Sequence, residues 1–202
     1  MGPCSTGTYT TMRTRILNFI ARWCEKHGRH RTIYDRDGVT PYLERYYLLF
    51  KDRPRWFPFN ITLHKILLSD LPVLHDHPWP YATLIVKGAY IEHTKYDAYI
   101  RDAGHFRIRG AKEYHWLEVP ESGEACWTLF FMGKRCREWG FLKDNRWIQY
   151  QEYLDWRDSQ TPKQLEAHQT HEDELTLIRQ IARDSVESAT REQRRKQRET
   201  NV

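Results

Sequence analysis

The stretch Leu74-His75-Asp76-His77-Pro78-Trp79 holds the densest chemistry in the chain. On an extended backbone, residues two apart project to the same side. His75 and His77 therefore offer two imidazoles to one point in space. Neutral imidazole nitrogens suit Fe(II), Zn, Ni, Cu or Mn. A metal site needs a further ligand, and His115, in the later strand His115-Trp116-Leu117-Glu118, is the candidate. Asp76 lies between the paired histidines and should point the opposite way. The one His-x-Asp pair, His171-x-Asp173, lies in a polar tail with no histidine after it. A two-histidine, one-carboxylate iron site is therefore not the expected arrangement.

A metal cavity also needs groups that orient a substrate. His64, in the run Asn60–Leu68, is a fourth polar group if that strand lines the same cavity; otherwise it is a buried, hydrogen-bonded histidine. Arg107 and Arg109 share one face of Phe106-Arg107-Ile108-Arg109. Turned inward, a guanidinium clamps a carboxylate or phosphate. The simpler alternation puts Phe106 and Ile108 inside and both arginines in solvent. Trp79 and Trp116 each adjoin a candidate ligand and would pack the site, with stacking on a planar substrate a further role. Cys126 and Cys136 are either thiols near the site or buried structural cysteines.

The elements that must position these groups are mostly short strands. Met12, Ile16, Leu17, Phe19, Ile20, Trp23 and Cys24 recur at helical spacing, and Gly28 is a natural stop, so Thr11 to His27 reads as one amphipathic helix. Thr32–Asp35 and Tyr42–Phe50 flank Asp37-Gly38, a hairpin signal. Asn60–Leu68, Ala82–Val86, Ala89–His93, Tyr96–Arg101, His105–Arg109, His115–Val119, Cys126–Met132 and Phe141–Tyr150 follow, punctuated by Gly and Pro. Such spacing, with no helix between strands, predicts a β-sandwich or barrel rather than a βαβ sheet.

These residues resemble the metal-binding cupins. The first cupin motif runs His-x-His, three or four residues, an acidic ligand, six residues, then Gly. Here His75-x-His77 is followed after three residues by Tyr81 and after six more by Gly88, so the acidic ligand is replaced. The second motif supplies one histidine, which His115 matches, although Gly110, Lys112 and Val119 replace its usual proline, glycine and asparagine. The resemblance spans roughly residues 40–150. It implies a cupin-type β-barrel (double-stranded β-helix) and one divalent metal on His75, His77 and His115, similar to the three-histidine thiol dioxygenases. Fe(II) is then favoured, with Zn, Mn or Ni as alternatives. Tyr81 stands where a ligand normally points and would steer substrate and O2; otherwise it is an aromatic lining the barrel. The runs Trp127–Gly133 and Arg137–Phe141, with the histidine pair, resemble small uncharacterised cupin-like proteins of bacteria and tailed phages.

Composition sets the frame. The 202 residues are 40% hydrophobic and 29% charged, which suits a soluble domain with a real core. No apolar run approaches the ~20 residues of a membrane span, and the polar start lacks a secretory h-region. Met1-Gly2 formally fits a myristoylation pattern, which Pro3 argues against. Four scattered cysteines with no CxxC argue against a disulfide scaffold and fit a reducing cytoplasm, a host's if the chain is viral. The domain plan is a tail and helix over 1–30, the cupin barrel over 31–160, and a helical, basic-ended tail over 161–202. Residues 1–36 carry seven basic and two acidic groups, hence the whole +5. Contact of the basic ends with nucleic acid is one partner reading and a solvated helix face the other; a homo-oligomer is also open.

The expected function is a metal-dependent oxidoreductase, an Fe(II) dioxygenase acting with O2 on a small chelating substrate. One alternative is a non-redox metal cupin, an isomerase, epimerase or lyase. Another is a non-catalytic module contacting nucleic acid or a phage protein, its metal closed off by a fourth protein ligand.

Overall fold

The computed structural model describes residues 11–35, 37–120 and 124–160. The expectations for residues 1–10 and for the tail over 161–202, including His171 and Asp173, lie outside these. The described chain is mainly β. Among the described residues, no helix is long and apolar enough to cross a membrane.

Helix α1 spans Met12–Lys26, with Thr11 as its N-cap. Gly28 stands just beyond the C-cap at φ 63°, a conformation that costs glycine little. Leu17, Ala21 and Cys24 of α1 pack with Tyr46, Leu63 and Trp127. A second apolar stripe on the same helix, Met12, Ile16, Phe19 and Trp23, stays exposed. The helix is amphipathic as expected, with an apolar arc wider than the strip it buries.

Strands β1 (His30–Tyr34), β2 (Pro41–Tyr47), β3 (Asn60–Ile66), β4 (Tyr81–Lys87), β7 (Phe106–Arg109) and β9 (Cys126–Met132) form a six-stranded sheet in the order β1-β2-β3-β9-β4-β7. Strands β5 (Ala89–Thr94), β6 (Ala98–Asp102) and β8 (His115–Glu118) form a second sheet, β6-β5-β8. One cavity is lined by inward residues of both: Arg45, His64, Tyr81 and Phe130 from the large sheet, Tyr90, Glu92 and His115 from the small one. The architecture is thus two facing sheets in the manner of a jelly roll, not one hydrogen-bonded closed cylinder. The chain passes from large sheet to small at Gly88, whose φ is 77° and where a Cβ would sit 2.9 Å from the Ala125 carbonyl oxygen.

The run 141–150, expected as one strand, is a hairpin of β10 (Gly140–Lys143) and β11 (Arg146–Gln149). Asp144 and Asn145 both take positive φ, as a tight hairpin turn of this kind requires. Helix α2 (Tyr150–Asp158) follows and lays Tyr153 on Phe141 at 4.2 Å between ring centroids.

Candidate metal centre

His75 sits on a single extended segment between β8 and β10, bridged to His115 on one side and Phe141 on the other. The His75 amide donates to the His115 carbonyl and the His115 amide to the His75 carbonyl, both at 3.0 Å. Residues directly opposite in an antiparallel pair put their side chains on the same face. The pairing therefore aims both rings into the cavity, and the period of two adds His77, whose amide donates to the Ala111 carbonyl at 3.1 Å. Asp76 must point the other way. It is fully buried, accepting from the Gly140 amide at 2.8 Å, from Trp147 Nε1 at 3.1 Å and from Arg137. That network clamps the backbone behind the two histidines. Gly140 permits it, because a Cβ there would overlap the Ile148 carbonyl.

His75, His77 and His115 bring one ring nitrogen each within 4.8 Å of one another. Nε2 of His77 and Nε2 of His115 stand 2.8 Å apart. Two nitrogens bound at right angles to one ion, each about 2.1 Å from it, are separated by roughly 3 Å. The geometry therefore suits a single small cation.

The proton on His115 is fixed by its other side. Nδ1 lies 3.1 Å from Oε1 of Glu92. An ionised carboxylate only accepts, so Nδ1 carries a hydrogen, and in the neutral ring Nε2 then turns its lone pair to the centre. Burial opposes the Glu92 charge, but the His115 hydrogen bond and the Arg109 guanidinium prevail and hold its pKa down to about 2. Arg101 Nε also donates to Glu92, at 3.0 Å. A carboxylate, a histidine and an open lone pair in sequence is how proteins orient metal-bound imidazole. For His75, the Val73 carbonyl 3.4 Å from Nδ1 leaves Nε2 free, and Asp70 Oδ2 stands 3.9 Å from that atom. Burial lowers the His75 and His77 pKa values, and the neighbouring His115 lowers them further, so the donors are neutral at pH 7. This neutral, convergent donor set fits a divalent ion.

Tyr81 begins β4 and faces inward. Its hydroxyl is 2.9 Å from His115 Nε2, and its ring lies edge-on to His77 at 4.6 Å. Burial pushes its pKa well above 10, which keeps the phenol protonated. Trp79 lines the cavity, and its buried Nε1 has no partner among the described residues. His64 lines it further away, bonded to Thr62 Oγ1 at 2.9 Å and Arg45 Nε at 3.2 Å. The cavity measures about 410 Å³, and Pro78, Leu117, Phe130 and Trp139 give it largely apolar walls.

Three expected site residues stand elsewhere. Trp116 follows His115 and so faces away; it stacks on His93 at 3.7 Å. Arg107 and Arg109 do turn inward, opposite Thr83 and Tyr81, while Phe106 and Ile108 are exposed at 54% and 72%. The simpler alternation is thus reversed. Neither arginine reaches the cavity wall: Arg109 is buried on Glu92 and Glu113, and Arg107 lies 3.9 Å from Glu113. Cys126 is buried in the core, and Cys136 is exposed.

Glu92 and Asp70 were missed. Glu92 occupies an inward position of β5, two residues after buried Tyr90, and a charge in that register was the available signal. Asp70 lies in a loop, where no periodicity marks it. It accepts from the Tyr42 hydroxyl and, at 2.8 Å, from the Leu117 amide.

No family model matches the chain, and no curated protein does. Solved structures do. The chain is similar to a cupin-2 domain protein of Rhodospirillum rubrum, with TM-score 0.46 and 11% identity over 73% of this chain and 88% of that one. It is similar to an RmlC-like cupin protein of Ralstonia eutropha, with TM-score 0.41 and 18% identity over 60% and 76%. A third is the polyketide cyclase RemF of Streptomyces resistomycificus, with TM-score 0.39 and 16% identity over 46% of this chain and 65% of that one.

Proposed function

We propose that this chain is a metal-dependent enzyme. His75, His77 and His115 would hold one divalent cation, and the substrate would be a small chelating molecule bound in the adjoining cavity. The observation that carries the reading is the His115 ring, oriented by Glu92 so that its Nε2 faces His77 Nε2 across 2.8 Å. Three neutral ligands leave the ion its full charge and open positions, which favours an anionic chelator and, for Fe(II), O2 beside it. Dioxygenation of such a substrate is the leading chemistry.

The residues divide the work. Glu92 keeps His115 in the ligating tautomer. Asp70 adds a negative charge that favours cation entry. Tyr81 presents a protonated phenol to any substrate oxygen near His115. Trp79, Phe130 and Trp139 shield that oxygen from bulk water.

A second reading is non-redox chemistry with Zn or Mn. It is favoured by Tyr81, a neutral proton donor 2.9 Å from a ligand nitrogen, which serves an elimination or isomerisation as well as an oxygenation. Metal analysis of untagged protein, then turnover of thiols and other chelators with and without O2, decides between them. The leading reading expects stoichiometric Fe(II) and substrate-dependent O2 uptake. Turnover with Zn or Mn under argon supports the second. His77→Ala should lose stoichiometric metal; equal metal in that variant and the wild type overturns both.

A further inference from the structure

The far end of the cavity holds a cation, Arg45, that has no carboxylate partner among the described residues. Arg45 projects from β2, opposite His64 in the register, and lines the cavity. Its Nε donates to His64 Nε2 at 3.2 Å. A guanidinium never accepts, so His64 uses that nitrogen as an acceptor and is neutral. It therefore supplies no charge against Arg45. Among the described residues, no carboxylate pairs with this guanidinium. The two carboxylates in the wall are engaged elsewhere, Asp70 by Tyr42 and Leu117, Glu92 by His115, Arg101 and Arg109. Arg101, Arg109 and Arg137 meet acids, and Arg29 and Arg53 spend their guanidinium hydrogens on backbone carbonyls. A half-buried, unneutralised guanidinium facing an apolar cavity is costly unless an anion reaches it.

Between Arg45 and the metal centre lies a row of rings. Tyr81 on β4 stacks on Phe130 of β9 at 5.1 Å and 21°, and Phe130 stacks on His64 of β3 at 4.9 Å and 20°. Side chains on one face of a sheet stand roughly perpendicular to it. Rings that face one another there turn their edges to the cavity. Ring edges are electropositive and prefer the π face of a planar partner. Two ring-to-ring steps thus separate Tyr81, beside the metal ligands, from His64, beside Arg45.

We infer that the cavity takes a planar, conjugated molecule with two acidic ends, its chelating head at His75, His77 and His115, its body across the Tyr81–Phe130–His64 row, and a terminal carboxylate on Arg45. The head rests on the metal-centre reading. The Arg45 subsite does not.

The test uses the full chain, metal-free and Zn-loaded, in calorimetric titrations. The probes are a naphthalene dicarboxylate with its acids at opposite ends, the same compound with one acid as an amide, and the plain naphthoate. With Zn, the wild type should favour the diacid over the amide by about tenfold or more, the scale of one charged hydrogen-bonded contact. Arg45→Gln should bring that ratio near one, and Arg45→Lys should retain part of it. In metal-free protein a single carboxylate has Arg45 as its anchor, so naphthoate binding should be lost in Arg45→Gln. Zn stoichiometry and thermal midpoint check that each variant is folded. An unchanged diacid-to-amide ratio in folded Arg45→Gln overturns the subsite, as does failure of the wild type to bind either acid. Loss of Zn binding in the wild type, with the metal-free arm still dependent on Arg45, overturns the metal reading and leaves the subsite standing.

Discussion

Nδ1 of His115 donates to Oε1 of Glu92 across 3.1 Å, and Arg101 and Arg109 hold that carboxylate from its other sides. One ligand's orientation thus depends on charges that never touch the ion. Glu92→Gln should lower divalent-metal affinity by about 10- to 100-fold, the range typical for such supporting groups. Competition with a coloured chelator measures it. Wild-type affinity in the variant would remove Glu92 from the site.

The same residue should shape the acid limb of stability. Its folded pKa of about 2 lies below the ordinary 4.5. A lowered pKa stabilises the fold above the unfolded value and loses that contribution as pH falls through the folded one. The contribution is on the order of 3 kcal/mol. Urea midpoints of wild type and Glu92→Gln should therefore differ constantly at neutral pH and converge between about pH 4.5 and 2. Parallel curves throughout would contradict it.

Metal binding should resist mild acid. The His75 and His77 pKa values lie below the ordinary 6.5 because burial penalises their charged forms. Protons compete with a metal only once an imidazole protonates. Co(II) absorption should hence stay level from about pH 8 to 6.5 and fall only below that. A midpoint at or above 6.5 would mean that the rings are solvated.

Tyr81→Phe should keep stoichiometric metal and lose turnover on the order of a hundredfold, the scale of a positioned proton donor. Metal content and kcat are read on the same samples. Unchanged kcat would leave Tyr81 as wall only.

Asp76→Ala should destabilise the fold by about 3 to 5 kcal/mol, because Arg137 loses a buried partner and the Gly140 amide its acceptor. Chemical denaturation reports it. Asp76→Asn keeps an acceptor for Gly140 and should lose less.

What could be read in the sequence follows from periodicity. The alternation His75-Asp76-His77 assigns two rings to one side and the acid to the other, and the strand His115–Glu118 follows the same logic. The alternation failed on β7, four residues at a sheet edge, where Phe106 and Ile108 face out. The buried charge of Glu92 draws Arg109 inward, and Glu92 belongs to a different sheet, so no local pattern records the pairing. Trp116 was misplaced because adjacency to a ligand suggests proximity, whereas neighbours on a strand face opposite ways. The turn at Asp144-Asn145 was visible as composition, but the apolar residues on both sides masked it. Arg45 carried no signal at all until three strands were aligned.

The segment carrying His75 belongs at once to two structures. Leu142 donates to the Leu74 carbonyl at 2.7 Å and Asp76 to the Gly140 carbonyl at 3.0 Å, while His75 and His115 exchange bonds on the other edge. The C-terminal hairpin and α2 are therefore suspended from the ligand loop. Fraying of that hairpin would slacken the imidazoles, and a filled centre would in turn brace the last helix before residue 161.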